Sequence, residues 1–252
     1  MDDIKGRILQ NENIVSNYYL LRVKLSKSMG KVEQGQFIML KVPSSQVFLR
    51  RPFSIYEYNK NILTIMYRVV GRGTEYLSKA CINEEIFILG PLGKGFKIGK
   101  RGVYIIVAGG IGIAGLCSLA KRLKEKALIF YGCSSEGEIA LLRDIGVRNV
   151  NISTIDGSYG SKGDVVALLG KYLKLVRGKN IEIFACGPEN MIKSLKKLID
   201  KDKTPCQVLV EERMACGLGL CFGCVKRTFD KKEPYKRVCK EGPVFNLWEI
   251  CL

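Results

Sequence analysis

The stretch VYIIVAGGIGIAGLCSLA, residues 103–120, decides the fold class of this chain. Its first six residues are apolar and mostly β-branched or aromatic, which predicts a buried strand over 103–108. Glycines and other small residues follow, which indicates a tight turn into a helix that ends near Leu123. Eighteen residues without a charge also reach the lower limit for a membrane span. The four glycines and the change of character midway favour strand, turn and helix, so we expect no membrane-spanning segment.

The same alternation of elements continues downstream to residue 210. Apolar strands are predicted over 127–132, 151–155, 181–185 and 206–210, and amphipathic helices over 164–175 and 189–200. Strands that alternate with helices in this way are typical of a doubly wound parallel sheet. Residues 99–210 are therefore predicted to form a Rossmann-like α/β domain.

The preceding part of the chain, residues 1–98, has a β pattern. Strands are predicted over 18–25, 36–42, 62–69 and 86–89, and one short helix over 74–80. Several short strands with turn signals at close spacing indicate a small antiparallel barrel. The predicted fold class is a β-barrel followed by an α/β domain.

The remaining residues, 211–252, carry the motif Cys216-x4-Cys221-x2-Cys224-x14-Cys239. This order and spacing are those of a plant-type [2Fe–2S] cluster, which needs four thiolates. A structural zinc site also uses four cysteines, but zinc ribbons present two C-x-x-C pairs and this chain has one. The segment is too short for a core of its own, so we expect the cluster and the other domains to order it.

The composition limits the classes of function. The chain has no histidine, which excludes histidine-ligated metals and imidazole triads but leaves cofactor-based redox chemistry open. Its net charge of +17 is dispersed and accompanies no nucleic-acid motif, so we expect no nucleic-acid binding. Neither a disulfide framework nor a secretory signal is evident, which predicts a cytoplasmic protein.

Two motifs in the barrel point to a flavin cofactor. In Arg51-Pro52-Phe53-Ser54, an arginine can bind a pyrophosphate and a serine hydroxyl can face a flavin ring, although this motif taken alone is better explained as a surface Arg-Pro turn. The second motif runs from Tyr67 to Thr74, where Gly73 and Thr74 open the predicted helix and can hold phosphate. The two motifs together are more specific than either alone.

Two turns in the α/β domain point to a dinucleotide. The first contains Gly109, Gly110 and Gly112 after the buried strand, which allows a pyrophosphate to approach the backbone. The second is Cys186-Gly187-Pro188, which ends another strand at the same carboxyl edge of the predicted sheet. Either turn could also be a simple tight connection.

These motifs, in this order, resemble the ferredoxin–NADP reductase superfamily. With the cysteine motif and the run from Val238 to Phe245, the whole chain resembles the electron-transfer subunits of class 1B dihydroorotate dehydrogenase. The resemblance implies FAD on the barrel, NAD(H) on the α/β domain and a [2Fe–2S] cluster on the cysteines. It also implies these cofactor-binding residues: Arg51, Pro52, Phe53, Ser54, Met66, Tyr67, Arg68, Gly73, Thr74, Gly109, Gly110, Gly112, Cys186, Gly187 and Pro188. At Phe53 the superfamily often has tyrosine, so only a stacking role transfers.

The resemblance further implies a redox partner. FAD exchanges a hydride with NAD(H) and passes single electrons through the cluster to FMN in a dihydroorotate dehydrogenase catalytic subunit, in a heterotetramer for pyrimidine biosynthesis. Glu136 and Glu138, after the second strand, favour NAD over NADP because carboxylates repel a 2′-phosphate. The alternatives are the flavin subunit of another ferredoxin-, sulfur- or hydrogenase-linked reductase, and a non-redox binding module held by zinc.

Overall fold

The N-terminal part of the chain forms a seven-stranded antiparallel sheet that curls into a barrel. The computed structural model describes residues 3–44, 46–100, 102–146, 149–176 and 180–252. The barrel elements are β1 (Ile4–Val15), β2 (Tyr18–Leu25), β3 (Phe37–Lys41), β4 (Arg51–Ser54), β5 (Glu57–Asn59), β6 (Ile62–Arg68), α1 (Arg72–Ser78) and β7 (Glu85–Leu92). The order of strands across the sheet is β4-β3-β7-β1-β2-β6-β5. The predicted barrel is confirmed.

Three barrel strands, β1, β4 and β5, differ from the sequence expectation. Strand β1 was not predicted, yet it is central to the sheet and pairs with both β2 and β7. Only its first half alternates cleanly, with Ile4 and Ile8 buried, and polar residues fill the rest. The Arg-Pro motif is itself strand β4, which pairs with β3. The motif is therefore held by ladder hydrogen bonds on one edge of the barrel.

The second sheet is parallel through six strands, as predicted. Its elements are β8 (Val103–Gly109), α2 (Ile113–Leu123), β9 (Ala127–Cys133), β10 (Val150–Thr154), β11 (Ser161–Lys162), α3 (Val165–Leu175), β12 (Ile181–Cys186), α4 (Glu189–Ile199) and β13 (Cys206–Leu209). Helix α2 belongs to the apolar cluster on one face, and α3 and α4 belong to the cluster on the other. The carboxyl ends of β8, β9 and β12 meet at one edge, because these strands are neighbours.

The C-terminal segment adds a hairpin and one more strand to the parallel sheet. The hairpin consists of β14 (Val225–Arg227) and β15 (Tyr235–Arg237). Strand β16 (Val244–Asn246) then pairs antiparallel with β13, so the sheet order is β11-β10-β9-β8-β12-β13-β16. The cysteine motif thus lies between two strands of the sheet in sequence.

Continuous apolar packing joins the three parts of the chain. Tyr56 and Met66 of the barrel share one buried cluster with Ala114 and Cys117 of α2. Residues of the cysteine segment are buried in the cluster on the opposite face of the sheet, among them Cys224, Val238, Cys239, Leu247 and Ile250. Within the described residues, we find no helix long and apolar enough to cross a lipid bilayer.

Candidate functional site

A cavity of about 390 Å3 lies where the barrel meets the α/β domain. Eight of the nine barrel residues expected to bind the flavin line it: Arg51, Pro52, Phe53, Ser54, Met66, Tyr67, Arg68 and Thr74. The ninth, Gly73, lies directly beneath the Arg51 side chain: a Cβ on Gly73 would be 2.6 Å from Arg51 Nε. Both barrel motifs therefore face one cavity, which we call the flavin cavity after the predicted flavin-binding residues that line it.

The loop before α1 owes its shape to Thr74. The hydroxyl of Thr74 accepts hydrogen bonds from the amides of Val70 (2.9 Å) and Gly71 (3.2 Å) and donates one to the Gly71 carbonyl (2.9 Å). The hydroxyl is thus used to hold the loop. The part of this loop that remains available to a phosphate is its backbone, next to the guanidinium of Arg51.

The aromatic residues of the flavin cavity have different roles. Tyr67 is fully buried in the barrel core, where its hydroxyl donates to Asn11 Oδ1 at 3.0 Å and its ring stacks on Tyr19. Phe53 packs edge-on against Tyr67, with ring centroids 5.7 Å apart, and remains partly exposed to the cavity. Tyr67 therefore supports the wall from behind, and Phe53 offers the apolar surface.

A second cavity, of about 520 Å3, lies at the carboxyl edge of the parallel sheet. Five of the six α/β residues expected to bind the nucleotide line it: Gly109, Gly110, Gly112, Gly187 and Pro188. The two turns touch, because a Cβ on Gly112 would lie 2.3 Å from the carbonyl oxygen of Cys186. Only glycine permits this contact, which brings both predicted nucleotide motifs together.

The side chain of Cys186, the sixth α/β residue expected to bind the nucleotide, lies elsewhere. Its side chain is 2% exposed and belongs to the apolar cluster beneath the turn, and it does not line either cavity. Complete burial raises the pKa of the Cys186 thiol well above its usual range. The structure therefore gives this cysteine the role of a small apolar side chain.

The two cavities adjoin, and five residues line both: Arg68, Ile111, Leu209, Val210 and Glu211. Glu211 was not predicted as a site residue, although it lies two residues after the end of strand β13, at the carboxyl edge. Its side chain remains exposed to the cavities, yet desolvation by the surrounding protein raises its pKa. A carboxyl group with a perturbed pKa at the junction of two cavities is a candidate functional group.

Carboxylates also lie on the nucleotide side of the site. Glu138, in the turn after β9, and Asp164, which caps helix α3, both line the larger cavity. Tyr18 lies close to Glu138; burial, followed by the charge of Glu138, raises the pKa of its phenol. The guanidinium of Arg68 stacks over the Tyr18 ring at 5.4 Å. Two glutamates, Glu136 and Glu138, were expected to favour an unphosphorylated ribose. Of these, Glu138 lines the cavity.

The four motif cysteines approach one another as two pairs. The Cys216 thiol interacts with that of Cys221, and the Cys239 thiol with that of Cys224. No three histidine, cysteine or acidic side chains in the described ranges lie close enough to share a single metal ion. Two pairs of thiols suit a [2Fe–2S] cluster, whose two irons are held by four cysteines.

Backbone amides point at the cysteine sulfurs, as an iron–sulfur cluster requires. Five such contacts of 3.1–3.4 Å are present: Leu218 N and Leu220 N to Cys216, Gly219 N to Cys239, Gly223 N to Cys221 and Cys239 N to Cys224. Against the opposing effect of burial, amides of the loop lower the pKa of Cys216 to about 6. Burial and the neighbouring Cys224 raise the pKa of Cys239 to about 12. The residues present fit a cluster.

The cysteine segment forms part of the flavin cavity. Met214 and Pro243, which flank the motif on either side, line that cavity together with the barrel residues. Gly217 lies against the barrel so closely that a Cβ would be 2.5 Å from Met39 Cγ. The cluster loop is therefore packed directly on the flavin site.

Comparison with known proteins agrees with this architecture. The structure reported as an NADH-dependent reduced ferredoxin–NADP oxidoreductase superposes with a TM-score of 0.84 at 24% sequence identity, covering 98% of this chain and 89% of that one. A ferredoxin–NADP+ reductase from Neisseria gonorrhoeae superposes with a TM-score of 0.67 at 14% identity, covering 80% of this chain and 92% of that one. The fold is thus of the ferredoxin–NADP reductase type.

Fold and site together define a flavin-linked oxidoreductase with an iron–sulfur segment. Residues 211–251 match the iron–sulfur cluster binding domain of dihydroorotate dehydrogenase B. Relatives from Caldanaerobacter subterraneus subsp. tengcongensis (38% identical, 98% of each chain covered) and Clostridium perfringens (37% identical, 99% of this chain and 98% of the relative covered) are both named dihydroorotate dehydrogenase B (NAD(+)), electron transfer subunit. This chain belongs to that family of electron transfer subunits.

Proposed function

We propose that this chain carries electrons between NAD(H) and the FMN of a dihydroorotate dehydrogenase catalytic subunit. FAD and a [2Fe–2S] cluster, when bound, supply hydride exchange and single-electron transfer. In this proposal electrons leave dihydroorotate in the partner and reach NAD+ on this chain, as a step of pyrimidine biosynthesis. The assembly contains two copies of each subunit and works in the cytoplasm.

The observation that carries the proposal is the order of the three sites. The larger cavity shares five lining residues with the flavin cavity, and the flavin cavity is walled on another side by the cysteine segment. A nucleotide, a flavin and a cluster in these places would follow one another without an intervening domain. Such an order suits a chain whose task is transfer between a nucleotide and a distant centre.

The residues of the flavin cavity have distinct tasks in this proposal. Arg51 and the loop at Gly73 bind the pyrophosphate, and Phe53 stacks on the cofactor. Ser54 lies at the contact between the barrel and helix α2, where a Cβ on Gly115 would be 3.3 Å from its Oγ. Its hydroxyl is therefore held at the domain junction, where a flavin ring would meet the nucleotide.

On the nucleotide side, the glycine turn holds the pyrophosphate, and the Cys186-Gly187-Pro188 turn that touches it lies beside the nicotinamide. Glu138 faces the cavity and repels an additional phosphate, which supports NAD over NADP. Glu211 stands at the junction itself, where its carboxyl can accept a hydrogen bond or hold a proton near the reacting atoms.

A reducing compartment is supported by the cysteines, because none of the ten forms a disulfide. Four of the six outside the motif are buried apolar side chains, namely Cys117, Cys133, Cys186 and Cys206. Of the other two, Cys81 is exposed and Cys251 is partly exposed.

The decisive experiment is anaerobic purification with the natural partner, followed by quantitation of flavin, iron and sulfide. The complex should then reduce NAD+ in the presence of dihydroorotate. A Cys221→Ser variant should lose this reaction but keep NADH-dependent reduction of a dye, because the dye takes electrons from the flavin directly. Cys81→Ser, which removes an exposed cysteine outside the motif, should leave both reactions unchanged.

Three results would direct the assignment elsewhere. A fully loaded pair of subunits that does not reduce NAD+ with dihydroorotate would refute the proposed partner and favour another reductase. Zinc in place of iron and sulfide would favour a non-redox binding module. Preference for NADP+ over NAD+ would overturn the role given to Glu138.

A further inference from the structure

Arg237 connects the two parts of the cysteine motif. It lies two residues before the last cysteine, and its Nη1 donates to the carbonyl of Gly219, in the three-cysteine loop, at 2.8 Å. The rest of the guanidinium forms a two-pronged ion pair with Glu241, through Nε (3.0 Å) and Nη2 (2.5 Å). Glu241 also accepts from the Arg237 amide at 2.7 Å. The side chains of the pair are 22% and 25% exposed, so protein shields much of this contact from solvent.

The carbonyl that Arg237 holds belongs to a peptide group that faces the cluster site. The N–H of the same peptide, on Leu220, points at the sulfur of Cys216 at 3.4 Å. The adjacent N–H, on Gly219, points at the sulfur of Cys239 at 3.1 Å. Arg237 polarises and fixes this stretch of backbone, so it strengthens the N–H contacts to one sulfur of each cysteine pair.

Arg237 braces the loop at a second point. Its guanidinium lies 4.9 Å from the centre of the Phe222 ring, and Phe222 stands between two cysteines of the motif. Phe222 has a positive φ of 54°, which is a strained conformation for a bulky residue. Stacking on a planar guanidinium stabilises the ring in that position.

An ordinary surface ion pair does not have these contacts. Lys79 and Glu75 form a pair with the same four-residue spacing on helix α1, but both side chains are more than half exposed. Such a pair contributes little to the stability of the fold, and it positions no other group. Through Nε, Nη1 and Nη2, Arg237 binds a carboxylate and a loop carbonyl at once, which lysine cannot reproduce.

We infer that Arg237 is a positioning residue for the iron–sulfur cluster. By binding the Gly219 carbonyl it orients the loop amides towards the cysteine sulfurs, and it thereby raises the reduction potential of the cluster. This inference rests on the proposed function, because it requires a cluster on the four cysteines. Reduction adds one electron and therefore one negative charge to the cluster. The oriented N–H groups stabilise the reduced form, and loss of the guanidinium would leave the carboxylate of Glu241 unbalanced beside the cysteine motif, so Arg237 raises the potential.

The test compares Arg237→Met, Arg237→Lys and Glu241→Gln with wild type, and uses Lys79→Met as a matched loss of one charge elsewhere. Each protein is purified anaerobically, analysed for iron and sulfide, and titrated with dithionite while the reduced cluster is followed by electron paramagnetic resonance. Release of iron to a chelator is timed in parallel. None of these readouts depends on the partner or on the complete reaction.

For Arg237→Met we expect a shift of roughly tenfold in the reduced-to-oxidised ratio at a fixed potential, which is about 59 mV towards lower potential for one electron. Arg237→Lys keeps the charge, so its potential should stay near wild type while iron is released faster. Glu241→Gln should also release iron faster, because the guanidinium loses its anchor. Lys79→Met should match wild type in every readout.

The inference is overturned if Arg237→Met keeps the wild-type potential, resonance signal and rate of iron release. Should Arg237→Met fail to assemble a cluster, Arg237→Lys and Glu241→Gln decide: wild-type iron release in both would overturn the positioning role. A wild-type chain that holds no iron would instead refute the proposed function, so the two failures are distinguishable.

Discussion

Replacing Gly73 with alanine should weaken FAD binding without unfolding the protein. A Cβ at this position would lie 2.6 Å from Arg51 Nε and 3.2 Å from Cζ, closer than side-chain carbons approach other atoms. The long Arg51 side chain can move aside, so the substitution should displace the guanidinium without destabilising the fold. Alanine within helix α1 also improves helix propensity by about 0.8–1 kcal/mol, which favours a folded variant.

The expected magnitude follows from the contact that Arg51 would lose. Hydrogen bonds to a charged group are worth about 1.5–3 kcal/mol. At 1.4 kcal/mol for each factor of ten, this predicts an FAD dissociation constant raised by about 10- to 150-fold. The assay is a titration of flavin-free protein with FAD, followed by quenching of flavin fluorescence.

Gly71→Ala is the matched control for this experiment. Gly71 has extended backbone, with φ of 175°, and a Cβ there would meet no atom within 4 Å. Alanine at this N-cap position costs stability, by about 1 kcal/mol, but leaves Arg51 in place. If the two variants bind FAD with equal affinity, Arg51 does not hold the cofactor in the way proposed.

Three further predictions concern the nucleotide side of the molecule. Gly112→Ala places a Cβ 2.3 Å from the backbone oxygen of Cys186, which cannot move aside. Unfolding in urea should therefore show that the free energy of unfolding falls by about 3 kcal/mol, at the upper end for overpacking. A decrease below about 0.5 kcal/mol would contradict the rigid contact. Because desolvation raises the pKa of Glu211, its contribution to stability is complete below its unfolded pKa and decreases as pH rises through the folded pKa. Glu211→Gln should therefore gain stability over wild type as pH is raised from 4 to 8, and a constant difference would contradict the desolvation. Asp164 accepts a hydrogen bond from the Ala167 amide at 2.8 Å. Asp164→Ala should therefore lower the melting temperature by the equivalent of about 1 kcal/mol, whereas Asp164→Asn should not. Equal melting temperatures for the two variants would show that the cap is dispensable.

The fold was predictable where the pattern of apolar residues was long enough to show a period. The strand at 103–108 and the helices after it stand within a residue or two of their predicted ends. Strand β1 escaped because only its first half alternates, and a polar run from Gln10 to Asn13 resembles a loop. Strand β16 escaped because three residues cannot show any period, and its pairing depends on the partner strand rather than on its own sequence.

The site residues that belong to short local motifs were predictable. Eight of the nine barrel residues and five of the six α/β residues predicted to bind cofactors line the two cavities, because the local sequence constrains the turns and strand ends that carry them. The orientation of Cys186 depends on the core beneath it, which one sequence does not reveal. Glu211 could have been found from its place after strand β13, since ligands bind at the carboxyl ends of parallel strands.

Strand β16 has a consequence for the biosynthesis of the molecule. Because it follows Cys239, the last cysteine of the motif, the edge of the parallel sheet beside β13 stays open until residues 244–246 have left the ribosome. An open edge of this kind is a place where nascent chains associate wrongly. Closure of the sheet and gathering of the four cysteines therefore belong to the same late stage of synthesis.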